Sequence, residues 1–184
     1  MTNQRVPPPV TRLLSVWHLL ERWIAVIAFT LIGALIFGDV FGREFIGPVG
    51  TALGFEMGST GILAAGKLSL FLLVIGAFAG LGISVATGTQ IVPRVAFNWV
   101  PESWGPYVDR LANLLSGLVF VAVTYYGWVF VEASRSIGTV MPGLETPVWI
   151  IQTAIPIGFA SASLRYFIFA VWPGSAPVRE ENPE

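Results

Sequence analysis

The side chains able to do chemistry in this chain are few: Asp39 with Arg43, Lys67, Glu132 with Arg135, Arg165, and a solitary histidine, His18. On a helix, four-residue spacing puts Asp39 and Arg43 on one face, with the acid N-terminal as that pairing prefers. The two either close a membrane span as an interfacial salt bridge or aim a polar contact at a partner subunit. Glu132 and Arg135, three apart, form a second pair, expected to be solvated. The chain has no cysteine, which excludes iron–sulfur ligation, thiol catalysis and disulfides. One histidine cannot supply two imidazoles to a haem, and His18 is expected to be a plain polar-face residue. No nucleophile stands with a base and no carboxylate pair lies deep in apolar sequence, so the expectation is no enzyme, no catalytic residues, no cofactor, no metal site and no proton relay.

The elements that hold these residues are four stretches without Asp, Glu, Lys or Arg, at 23–38, 68–93, 111–131 and 146–164. A bilayer core of roughly 30 Å needs about 20 apolar residues at 1.5 Å rise. The stretches reach that length as spans of about 23–42, 67–90, 111–132 and 148–172. Composition agrees: the chain is 54% hydrophobic and 11% charged, against about 25% charged in soluble domains. The predicted fold is an all-α membrane protein of four transmembrane helices, preceded by an amphipathic interfacial helix. That helix covers 11–23, with Leu13, Leu14, Trp17 and Leu20 on one face and Arg12, Ser15, His18, Glu21 and Arg22 on the other. Residues 1–10, with three consecutive prolines, read as a disordered or extended arm, 11–172 as a single membrane domain, and 173–184 as a polar tail.

The first apolar stretch lacks a small-x-small cleavage pattern before Asp39 and reads as a retained span. Arg5, Arg12, Arg22, Arg94, Arg110, Arg165 and Arg179 fall on one side of the membrane, and Arg43, Lys67 and Arg135 on the other. By the positive-inside rule both termini are cytoplasmic. The glycines between 46 and 66 do not have phosphate-loop spacing and read as turns. The aromatics of the 93–111 connection read as a membrane-surface belt and not as a nucleic-acid surface, because lysine and arginine do not cluster there.

Three features inside the apolar stretches carry a cost or a purpose. Pro156 removes a backbone hydrogen bond, predicting a kink near Ile155. Gly76 and Gly80 form a G-x-x-x-G strip where another helix can approach closely. Arg165, apolar on both sides, either faces protein or snorkels to the cytoplasmic interface; snorkelling is the expectation, since about seven apolar residues lie beyond it.

Several ordered segments resemble the small membrane subunit of tripartite ATP-independent periplasmic (TRAP) transporters. Glu21-Arg22-Trp23 leads into a span ending in Asp39-Val40-Phe41-Gly42-Arg43-Glu44-Phe45. Leu72-Leu73-Val74-Ile75-Gly76-Ala77 is similar to the family's second helix. The run Thr139-Val140-Met141-Pro142-Gly143-Leu144-Glu145-Thr146-Pro147-Val148-Trp149, then Ile155-Pro156-Ile157-Gly158-Phe159 and Arg165, resembles its last helix. The resemblance implies an accessory subunit of a sodium-coupled, binding-protein-dependent carrier of organic acids in a bacterial inner membrane. Its partners are then a large membrane subunit, which holds the transport sites, a periplasmic solute-binding protein reached through the complex, and membrane lipid; no nucleic acid is involved. Asp39, Arg43, Gly76, Gly80, Pro156 and Arg165 become the candidate partner interface. Two alternatives are the small subunit of a tripartite tricarboxylate transporter and a membrane anchor of a redox enzyme, which predicts bound haem or quinone.

Overall fold

The computed structural model describes residues 6–56, 58–89 and 104–177. Helix α1, Pro8–Phe41, starts on a proline, a residue suited to the first turn because its missing N–H has no helical partner there. The expected arm therefore ends at Pro7; its first five residues, the connection up to residue 103 and the tail beyond 177 lie outside the described residues. A π-type turn, Gly42–Ile46, carries the helix on into α2, Gly47–Ala52. Then come α3, Ala65–Thr87, and α4, Gly105–Ile137, each closed by a glycine in the left-handed region, Gly88 at φ 69° and Gly138 at φ 69°. The fourth span is split into α5, Val148–Gln152, and α6, Ala154–Val171. Four helical stretches are thus long and apolar enough to cross a membrane.

The amphipathic segment is not a separate element. It forms the first turns of α1, which runs unbroken for 34 residues. At 1.5 Å per residue α1 is about 51 Å long, well over the roughly 30 Å of a hydrocarbon core. Trp17 and Glu21, expected on opposite faces, both turn toward the neighbouring helices. Glu21, Ala25 and Ala28 are buried and Trp17 and His18 partly so, whereas Leu13, Val16 and Leu20 are exposed. Where lipid is the solvent, bulky apolar side chains can face outward while polar and small ones turn to the neighbouring helix.

The helices form a row. α1 lies against α3, α3 against α6, and α6 against α4, while the outer two share no extended contact among the described residues. Burial follows this order: a third (33%) of the most apolar window of the α5–α6 span is covered, against 11% for α1 and for α4. The row closes through small residues. A Cβ on Gly76 would stand 3.3 Å from Ala28 Cβ and the Phe29 ring; one on Gly158 would stand 2.8 Å from Phe78 Cβ; one on Gly117 would meet the Phe167 ring at 2.9 Å. Phe78, Phe159, Phe120, Tyr166 and Phe169 run as successive ring contacts across α3, α6 and α4, beside a core of Val85, Ala162 and Phe169.

The break caused by Pro156 lies two residues before Ile155. The interruption falls at Thr153, between Gln152 and Ala154, because a proline denies its bond to the carbonyl four residues back, here Gln152, and its ring crowds that group. Helical bonding resumes with the Ile157 N–H donating to Thr153 O at 3.2 Å. Pro156 is buried, 3.5 Å from where a Cβ on Gly127 of α4 would stand.

Candidate functional site

Arg165 is the largest fully enclosed side chain among the described residues, 1% exposed. This corrects the expectation that it snorkels: its guanidinium turns inward because a carboxylate is waiting. Arg165 Nη2 lies 2.6 Å from Glu21 Oε2. Nη1 donates to the Gly82 carbonyl, and the guanidinium carbon lies 5.3 Å from the centre of the Trp17 ring. The hydroxyl of Ser161 donates to the other Glu21 oxygen at 2.6 Å. One planar cation thus serves a carboxylate from α1, a carbonyl from α3 and an aromatic face, a combination suited to arginine's fixed fork of donors. Gly82 makes the approach possible, since a Cβ there would run into the Glu21 carboxylate.

The cluster ties α1, α3 and α6 together at the end of the row where α1 begins. Its two charges cancel, so the interior stays neutral without a bound ion. Burying such a pair gains little net stability, because desolvation offsets the attraction; what it fixes is which groups must meet. Ser163 adds a neighbouring tie, its hydroxyl donating to Gly117 O on α4 at 2.9 Å.

At the opposite end the expected Asp39–Arg43 pair is present but loose, at 4.0 Å, and Arg43 also lies 3.3 Å from Glu44. The Asp39 side chain also anchors the connection that follows α2, where its Oδ1 accepts the backbone N–H of Ile62 at 3.0 Å. Gly61 fits beneath it, where a Cβ would be 2.6 Å from Oδ1, and the Thr60 hydroxyl donates to Gly42 O at 2.7 Å. Together these fold the glycine-rich connection back onto α1. Lys67 Nζ donates to Pro142 O at 2.7 Å, joining α3 to the turn before α5. Arg135 pairs with Glu132 at 3.9 Å, as expected, and also lies 5.3 Å from the centre of the Trp149 ring. Replacing Asp39 with alanine removes the acceptor of the Ile62 N–H and should cost about 1–2 kcal/mol. Limited proteolysis should then cut between 53 and 64 faster than in the unaltered chain.

The six sequence-predicted interface residues therefore separate. Asp39, Gly76, Pro156 and Arg165 make contacts within the chain, Arg43 is exposed, and a Cβ on Gly80 would have nothing within 4 Å. Sequence reasoning missed Glu21, Trp17, Gly82 and Ser161 as members of one cluster. The available signal was an acid and a histidine continuing the spacing of Ala25 and Ala28 along one face of an otherwise bulky helix.

Among the described residues no three His, Cys, Asp or Glu side chains come together in a way that could hold a metal ion. Residues 32–172 match the family described as tripartite ATP-independent periplasmic transporters, DctQ component. The ectoine TRAP transporter small permease protein TeaB of Halomonas elongata is 24% identical over 117 residues, which are 64% of this chain and 60% of that protein. The chain thus matches less than two thirds of that relative's length. Because the family match reaches into all four apolar helices, the chain belongs to the DctQ family of TRAP transporter components.

Proposed function

We propose that this chain is the accessory small membrane subunit of a sodium-coupled, binding-protein-dependent TRAP transporter for organic acids. It braces a large membrane subunit as a static scaffold, and a periplasmic solute-binding protein meets it through the complex. The reading places it in a bacterial inner membrane with both termini cytoplasmic, so that the Glu21–Arg165 cluster lies toward the cytoplasm and Asp39 and Lys67 toward the periplasm.

The observation that carries the proposal is the way the buried charge is spent. Glu21 and Arg165 are committed to each other, to Gly82 and to Ser161, an arrangement that fixes helices and not one that passes a solute. A row with two uncovered outer helices suits a plate laid against a larger protein. Gly80, open beside the closed Gly76 contact, and exposed Arg43 are the proposed points of partner contact; Asp39, Gly76, Pro156 and Arg165 shape the surface from within.

Reconstitution tests this directly. Vesicles holding this chain alone should show no sodium-dependent uptake, and vesicles that also hold the large membrane subunit should show uptake when loaded solute-binding protein is added. Uptake by the chain alone overturns the proposal.

A further inference from the structure

Tyr125 and Tyr126 on α4 stand where hydrocarbon offers their hydroxyls no partner. They are 63% and 70% exposed, their rings meet edge to face with centroids 5.5 Å apart, and neither hydroxyl is hydrogen-bonded among the described residues. The charge-free part of α4 runs from Leu111 to Val131, between Arg110 and Glu132. Tyr125 and Tyr126 precede Glu132 by seven and six residues, which is about 10 and 9 Å along the axis.

Side chains on a helix lean toward its N-terminus. Here that carries both phenols away from the nearer boundary, deeper into the apolar zone, whereas a belt tyrosine sits at headgroup level. Ser163 on Gly117 O, Ser161 on Glu21 and Thr124 on Phe120 O at 2.7 Å find acceptors inside the chain, and Ser69, without one, is at least enclosed by protein. The tyrosines have no such recourse, because α6 occupies the side of α4 that carries Gly117, Gly127 and Val131. The other end of the row differs. The exposed side of α1 offers phenylalanines such as Phe37 and Phe41, which lipid satisfies. Lipid chains accept no hydrogen bonds, so an unpaired hydroxyl at this depth calls for protein.

We infer that the Tyr125–Tyr126 face of α4 is covered by a spanning helix of the large membrane subunit, which presents hydrogen-bond acceptors at that depth. The inference rests on the accessory-subunit reading and deepens it by naming the docking face. Exposed Trp128 adjoins the same face.

The test uses the full chain expressed with the large subunit in native membranes, with the photoreactive residue p-benzoylphenylalanine placed at 125 or at 126. Illumination should give a cross-linked product containing the large subunit. The double variant Tyr125→Phe/Tyr126→Phe keeps both rings, and should lower recovery of the large subunit in detergent several-fold while the amount of this chain in the membrane stays unchanged. If the large subunit co-purifies with the unaltered chain but both photoreactive positions cross-link to lipid alone, or the double variant recovers it fully, the docking face is wrong and the subunit reading stands. If the large subunit does not co-purify with the unaltered chain, the reading fails and takes the inference with it.

Discussion

Replacing Arg165 with leucine should cost about 3–5 kcal/mol, the range for removing one partner of a buried ion pair. The loss exceeds that of a surface pair because the buried Glu21 carboxylate loses its cation and keeps the Ser161 hydroxyl as a donor, and the Gly82 carbonyl loses its donor. Thermal unfolding in mild detergent should show the midpoint falling steeply, and less folded chain should reach the membrane. Arg165→Lys should recover part of the loss at most, since one ammonium cannot meet carboxylate, carbonyl and indole in the same geometry. The decisive comparison is the double variant Glu21→Leu/Arg165→Leu. Two apolar residues leave no orphan charge, so it should lie closer to the unaltered chain than Arg165→Leu does. If the single and double variants unfold together, Glu21 and Arg165 are not energetically coupled and the ion pair does not organise the row.

This pair also shows where the sequence ceased to be informative. The charge-free stretches revealed four spans because each must cross about 30 Å of hydrocarbon, a requirement written into consecutive residues. Glu21 and Arg165 meet across most of the chain's length, and nothing local to either announces the other. Each taken alone has an ordinary explanation, a polar-face acid before the first span and a snorkelling arginine near the end of the last. The use of the polar face of α1 was hidden for a related reason: a helical period says which residues share a side but not whether that side meets headgroups or another helix. Asp39 and Arg43 were legible as a pair because i, i+4 geometry is local, while the Asp39 bond to Ile62 depends on how the connection folds back. Pro156 was legible as a break, but its position needed the backbone, since the perturbed group is the Gln152 carbonyl.

Glycines divide the packing of this chain from its proposed partner contacts, and two substitutions should separate them. At Gly158, even the Cβ of an alanine would sit 2.8 Å from Phe78 Cβ and 3.1 Å from the Phe78 carbonyl oxygen. The carbonyl belongs to the α3 backbone and cannot swing aside, so α3 and α6 must part. Overpacking of this kind costs about 1–3 kcal/mol, and Gly158→Leu should exceed Gly158→Ala because its branch also displaces the Phe78 ring from Phe159 and with it the contact to Phe120. At Gly80 nothing lies within 4 Å of an added Cβ, so Gly80→Leu should leave the unfolding midpoint of the isolated chain nearly unchanged and instead reduce co-purification of the large subunit. Measuring both properties on both variants separates the roles: Gly158→Leu lowers stability first and complex yield in consequence, whereas Gly80→Leu lowers complex yield alone. A Gly80→Leu chain that retains its full complement of large subunit places the contact elsewhere on the row, and one that unfolds early shows that α3 and α1 close more tightly at Gly80 than the open space around it implies.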